Sequence, residues 1–215
     1  MSAPLRPRKS PVQARSVATV AALHTATIQI LAREGLARCT TTRVAGRAGI
    51  AVGSLYQYYP NRDALLAAVL EQHLDGVASA VEAAAQAARG KGVAQMAADL
   101  VAAVVAAKLD NPQVSQALYR IAGERGGAAI AARIHQRMAV AVCQMLESAA
   151  DAHFSAPAVT AEIALGAIAG PIRAQLEGQL PPAAGRALVA QLTLLLQGYF
   201  CHGQTQAGGG VSPEK

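Results

Sequence analysis

Gly35, Gly49 and Pro60 cut the early part of the chain into pieces that cannot fold one at a time. Glycine ends a helix by entering the left-handed conformation, and proline cannot continue one. The spacing therefore predicts a long helix over 14–34, a short one behind Thr40-Thr41-Thr42, another short one over 52–58, and a long one over 62–88. A threonine N-caps the first short helix, and Asn61 caps the helix after Pro60. Apolar spacing gives each an inner face: Val17, Val20, Ala21, His24, Ile28 and Leu31 on the first, and Val44, Ala45 and Ala48 on the second. On the fourth it is Leu66, Val69, Leu70, His73, Val77 and Val81. Two short helices joined by a tight glycine turn make a helix-turn-helix. Ala45 and Ala48 are small enough for close approach, and Ile50 and Leu55 plug the pair onto the first helix.

The remaining chain reads as further helices over 93–109, 112–122, 127–153, 157–179 and 183–202, punctuated by Asn111-Pro112, Gly126-Gly127, Ala156-Pro157 and Pro181-Pro182. Pro171 lies inside one of them and is expected to kink it. With 53% hydrophobic residues but only 3% aromatic, the core must be built from Ala, Leu, Val and Ile. That points to an all-α protein. The expected organisation is a disordered basic arm over 1–12, the helix-turn-helix domain over 13–62, a helical body over 63–203, and a disordered tail over 204–215.

Charge separates the first two from the body. Up to Arg62 there are nine basic residues and one acid, Glu34, a net of +8; the rest carries −2 of the total +6. A basic module on a near-neutral helical body implies a polyanionic partner for the module. The arm residues Arg6, Arg8 and Lys9 could reach a minor groove or simply solubilise the chain, and Arg43 and Arg47 could contact DNA or be ordinary solvated charges. Cys39, Cys143 and Cys201 form no close pair, which fits reduced thiols and a cytoplasmic setting. No secretory signal is expected, and the apolar run over 187–200 is too polar to span a bilayer. The five histidines lack metal-ligand spacing, and no nucleophile elbow or paired-carboxylate site is visible. A metal, a cofactor and an enzymatic activity are therefore not expected. The alternative from another class is a helical small-molecule carrier or enzyme with an incidental basic N-terminus.

Three of the five tyrosines fall in the run "AGIAVGSLYQYYPNR", residues 48–62. In a helix-turn-helix the second helix enters the major groove. Gly53 and Ser54 would bring its backbone close to DNA, and Tyr56, Gln57 and Tyr58 offer hydroxyl and amide groups to phosphates and bases. Leu55 and Tyr59 fall on the other side and read as core.

The run also carries a resemblance. Gly35, then Thr40-Thr41-x-x-Val44-Ala45-x-x-Ala48-Gly49-Ile50, then Gly53-Ser54-Leu55-Tyr56-x-Tyr58-Tyr59-x-Asn61-Arg62-x-x-Leu65, resembles the DNA-binding domain of the tetracycline-repressor (TetR) family over residues 24–70. The resemblance implies that Thr40 and Thr41 lie near phosphate and that Thr42 can reach a base. It implies that Val52, Gly53 and Ser54 begin the recognition helix. Arg62 takes the place of the family's usual lysine, which reaches the DNA backbone. Three departures stand out: Ala51 where a capping serine is common, Val52 where polar residues often occur, and Tyr59 in place of phenylalanine, whose hydroxyl needs a partner if buried.

For the body the resemblance implies an effector pocket and a homodimer. Met96, Leu100, Val104, Tyr119, Ile134, Met138 and Phe154 form apolar stripes that read either as ordinary core or as a pocket for an unknown small molecule, with Arg120, Glu124 and His135 as its polar groups. Val159, Ile163, Gly166, Ala167, Gly170 and Ala174 make a line of mostly small residues on one late helix. Leu188, Val189, Leu192, Leu195, Leu196 and Tyr199 make a wide apolar stripe on the last. Two such helices from each chain would form a four-helix bundle across a twofold axis. The implied function is repression of transcription at double-stranded operator DNA, relieved by the effector.

Overall fold

The computed structural model describes residues 14–122 and 127–202, which form helices and connecting turns. In chain order the helices are α1 (Ala14–Glu34), α2 (Thr41–Ala48), α3 (Val52–Tyr58), α4 (Arg62–Ala88), α5 (Val93–Leu109), α6 (Pro112–Ala122), α7 (Gly127–Glu147), α8 (Pro157–Leu176) and α9 (Pro182–His202). A single 3₁₀ turn, Leu36–Arg38, follows Gly35. The arm over 1–12, the tail over 204–215 and Glu124 lie outside the described residues, as does the side chain of Arg120.

The helices gather into two compact units. The first comprises residues up to Gly76 together with Asn111–Ile134, and the second comprises Val77–Asp110 with the residues from His135 onward. This partition differs from a single cut after Arg62. The reason is packing: Leu65, Leu66, Val69 and Leu70 of α4 and Val114, Leu118 and Ile121 of α6 share one buried cluster with Leu23, Ile30, Val44 and Leu55.

Within the first unit α1 packs against both α2 and α6. Its buried arc therefore centres on Leu23, His24, Ala26, Thr27, Ile30 and Leu31. Val17, expected on the inner face, is exposed, and Ile28 is only half-buried. On α4 the apolar members of the expected stripe, Leu66, Val69, Leu70, Val77 and Val81, are buried, while His73 is half-buried. Helix α4 has the length and mean hydropathy, 1.2 over its most apolar window, of a bilayer span. Of that window, 44% is buried inside the molecule.

In the second unit α5 packs against α9 and α8. Two helices end earlier than the periodicity suggests. Helix α7 stops at Glu147 rather than 153 because the next residues serve another element. Asp151 Oδ1 accepts the first N–H of α5, from Val93 at 2.9 Å, while Ser148 Oγ accepts Gly90 N–H at 3.2 Å and Lys91 O accepts Ala150 N–H at 3.0 Å. A distant carboxylate thus supplies the cap that Gly92 lacks, and a Cβ on Gly92 would lie 2.6 Å from Asp151 Oδ2. Helix α8 runs through Pro171 and ends at Leu176. Gly178 there adopts φ 70°, and Gln179 N–H returns to Ala174 O at 2.8 Å, a glycine-based C-cap.

The expected dimer stripe on α9 is divided by this packing. Leu188, Leu192 and Leu196 are buried inside the chain's own core, Leu192 being 3% exposed, so they are not available to a partner. Their neighbours Val189, Leu194 and Leu195 face outward, Leu195 at 52%. On α8 Ile163, at 50%, and Gly166 and Gly170 are exposed as expected. Tyr199 is half-buried, its ring 6.1 Å from that of Phe200.

Candidate nucleic-acid interface

Thr40 initiates α2, its hydroxyl accepting Arg43 N–H at 3.3 Å. Gly49, at φ 70°, closes the helix in the left-handed conformation, and Ile50 N–H returns to Ala45 O at 3.0 Å. That turn aims α3 across α2. Ala51 precedes α3 without a side-chain cap, as its methyl dictates. Asn61 Oδ1 accepts Ala64 N–H at 2.8 Å and so starts α4. Thr40, Gly49 and Asn61 thus act as the caps and turn read from the sequence.

Leu55 and Tyr59 lock α3 onto the core. Burial pushes the Tyr59 hydroxyl up to about 12, and its partner is His24 Nε2 at 2.6 Å. The other ring nitrogen of His24, Nδ1, pairs with Gln72 Oε1. An amide oxygen only accepts, so Nδ1 carries the proton and Nε2 accepts from the tyrosine. Helices α1 and α4 and the end of α3 are therefore tied through one neutral imidazole. Nothing in the sequence paired these residues, but the tyrosine in place of phenylalanine was the signal that a partner was needed.

Burial lowers the pKa of His24 from its ordinary 6.5, with the Gln72 bond opposing the shift. The unfolded chain thus takes up this proton more readily than the folded one. Stability from the neutral imidazole is fully present above pH 6.5 and is lost as pH falls from there through the folded value. Urea unfolding at pH 7 and pH 5 should therefore show a loss of stability that is smaller in His24→Gln, which has no proton to gain. Equal losses in the two chains would contradict this assignment.

Outward from that core, α3 presents Gly53, Tyr56 and Gln57, spaced as one helical face, all exposed. Tyr56 is 41% exposed and its hydroxyl lies 3.1 Å from Thr41 Oγ1, so α2 and α3 set two hydroxyls side by side on the surface. Thr40 and Thr42 are exposed beside them and Ser54 is half-buried. Val52 and Tyr58 differ from expectation, because both pack partly against the core cluster rather than standing free. A seven-residue helix seated through Leu55 inevitably draws in the positions three away from it.

Arg62 opens α4 half-buried, with a buried Nε that has no hydrogen-bond partner among the described residues. Its charge acts against the burial that pushes Cys39 up to about 11. Arg43 and Arg47 both reach Glu34, Arg47 at 3.8 Å, and Arg47 also donates to Gln29 at 3.1 Å. The one acid of the basic module is thereby paired, and these two arginines brace α2 against α1.

Of the residues considered for an effector pocket, Met96, Leu100 and Val104 of α5 are buried core of the second unit. Met138 and His135 of α7 are half-buried there, and His135 Nε2 lies 2.6 Å from Glu162 of α8. Tyr119 is half-buried in the first unit.

Residues 23–69 match the family model for bacterial regulatory proteins of the tetR family, and residues 93–200 match that for the tetracyclin repressor-like C-terminal domain. Solved structures share the fold at low identity. A protein from Mesorhizobium loti assigned to the TetR-family transcriptional regulators is 12% identical, with 90% of this chain and 100% of that one covered and a TM-score of 0.73. A bacterial regulatory protein in the tetR family from Rhodococcus RHA1 is 19% identical, covering 87% and 98% at 0.64. The fatty acid degradation regulator FadR from Bacillus halodurans is 16% identical, covering 83% and 97% at 0.62. No curated protein matches the chain.

Proposed function

The chain belongs to the tetracycline-repressor family of bacterial transcription regulators, and on that premise we propose that it is a repressor released from its operator by a small apolar or amphipathic ligand. Bacterial DNA as the partner puts it in the cytoplasm. The observation that carries the DNA half of the reading is the outward face of α3. Gly53, Tyr56 and Gln57 take no part in the buried cluster, and the Tyr56 hydroxyl stands beside Thr41 at the head of α2. Donors gathered at one place on a basic module suit a phosphate backbone. Thr40, Thr41 and Tyr56 would hold phosphates, while Thr42, Ser54 and Gln57 would face base edges. Val52 and Tyr58 would reach DNA only with the parts of their side chains that the core leaves free.

Arg62 supports the same reading. A cation in the first turn of a helix is opposed by the helix dipole, so its own helix gains nothing from it there. An anion in front of α4 would satisfy it. In the operator complex that anion is a phosphate.

Dimerisation follows from the need to read two half-sites, since one seven-residue helix covers too few base pairs for useful specificity. The outward residues Ile163, Gly166 and Gly170 of α8 and Leu194 and Leu195 of α9 would form the bundle with their twofold mates. Ligand release is then a population shift. The effector favours an arrangement in which the two recognition helices no longer match successive major grooves.

Tyr56→Phe and Arg62→Ala test the DNA face. Each is expected to weaken operator binding by about 3- to 30-fold, the worth of one charge-assisted or neutral hydrogen bond to phosphate, with helix content and oligomeric state unchanged. Ser54→Ala should instead alter the selected sequence more than the affinity. Fluorescence anisotropy on labelled operator at two salt concentrations reads all three. Unchanged affinity in both Tyr56→Phe and Arg62→Ala would remove this face from the interface.

A further inference from the structure

The second unit holds a groove of about 500 Å³ between the outer face of α7 and the first turns of α8. Its floor is apolar, formed by Ala139, Val140, Ala158 and Val159, and Val140 is 52% exposed. Among the described residues, two carboxylates line it, Glu147 and Glu162, and no lysine or arginine does. Both carboxylates are held in place. Glu162 faces His135 Nε2 at 2.6 Å, and Glu147 accepts from the Cys143 thiol at 3.6 Å. The volume lies within the range of small-molecule sites.

We propose that this groove binds an organic cation with an apolar tail, its tail along Val140 and Val159 and its ammonium head drawn by the carboxylates of Glu147 and Glu162. Charge complementarity selects the head. An anionic head would meet two carboxylates with no lysine or arginine in the lining to offset them, an arrangement that costs binding. The apolar floor selects the tail, because covering it removes exposed valine surface from water. This deepens the repressor reading and rests on it only for the consequence, that filling the groove releases DNA.

The test uses the full chain without DNA, titrated calorimetrically with decyltrimethylammonium and with decyl sulfate below their micellar concentrations. The positive charge of the chain lies in residues 1–62 and the remainder carries −2, so the net +6 does not by itself select either head at this groove. Tighter binding of the ammonium compound is the expected result. Glu147→Gln and Glu162→Gln should each weaken that binding by about two- to fivefold, as befits exposed charges. Val140→Arg, at a position where a long side chain has room, should weaken it about tenfold or more by placing a like charge in the groove. Equal or tighter binding of decyl sulfate overturns the proposal, as does an unaffected Val140→Arg. So does Val140→Arg turning a dimer into a monomer by light scattering, for then a second copy covers the groove. Binding that obeys these expectations yet leaves operator affinity unchanged would keep the site and remove the ligand-release part of the repressor reading.

Discussion

Leu195→Glu is expected to give a folded monomer that has lost its operator, whereas Leu192→Glu, three positions earlier on α9, is expected to unfold the second unit. Leu195 is 52% exposed and Leu192 is 3% exposed, so the same substitution meets water at one position and core at the other. A carboxylate on the surface changes chain stability by about half a kcal/mol or less, while one buried without a partner costs about 4 kcal/mol or more. The surface variant instead sets two carboxylates against each other across the proposed twofold interface. Losing one of two half-sites should then lower operator affinity by about 100-fold or more, with the helix-turn-helix intact. Ile163→Glu on α8 should behave like Leu195→Glu. Light scattering with circular dichroism separates the cases. A Leu195→Glu chain that remains dimeric and DNA-bound would move the interface off this face.

Gly53→Ala should stabilise the chain and impair its function at once. Gly53 lies in the first turn of α3, and a Cβ built there meets nothing within 4 Å. Glycine in a helix costs up to about 0.5–1 kcal/mol against alanine, and no contact within the described residues asks for it. The methyl would project into the space that DNA must enter if the backbone of α3 lies against it. We expect the unfolding free energy to rise by up to about 0.5–1 kcal/mol and operator affinity to fall about tenfold or more. Gly92→Ala offers a contrast, since a Cβ there meets the Asp151 carboxylate and should lower stability. Gly53→Ala that binds operator as well as wild type would mean that α3 does not approach DNA at its start.

Much of this was legible in the sequence because it is carried by local chemistry. Gly35, Gly49, Pro60 and Asn61 act on their own neighbours, so the α1–α4 boundaries follow from them directly. The early ends of α7 and α8 were harder to read. Residues 148–151 have helical composition, but they are drawn out of α7 to cap a helix that begins 58 positions earlier in the chain, at Val93. No local pattern carries that information. The α9 stripe shows a related limit. Periodicity finds the apolar residues, but when a helix is apolar on much of its surface, only packing decides which of Leu192 and Leu195 is inside. On the helix-turn-helix, small and polar positions mark the outward side, and Gly53, Tyr56 and Gln57 are exposed there. Spacing alone does not show that Val52 and Tyr58 pack partly against the core, because that depends on how α3 is seated through Leu55. The ties between His24, Tyr59 and Gln72, and between Glu34 and the two arginines of α2, join separate helices and so stayed hidden until the fold brought them together.

The central claim is that paired α2–α3 units read a twofold-related operator, and recovery of that operator tests it most directly. Purified chain is mixed with fragmented genomic DNA at about 0.15 M salt, and the retained fragments are sequenced. The account predicts enrichment of an inverted repeat, bound as a dimer, whose affinity falls by orders of magnitude between about 50 and 200 mM salt as counterions compete for its phosphate contacts. Retained DNA with no common sequence, or an enriched site with no twofold symmetry that binds a single chain, would contradict it.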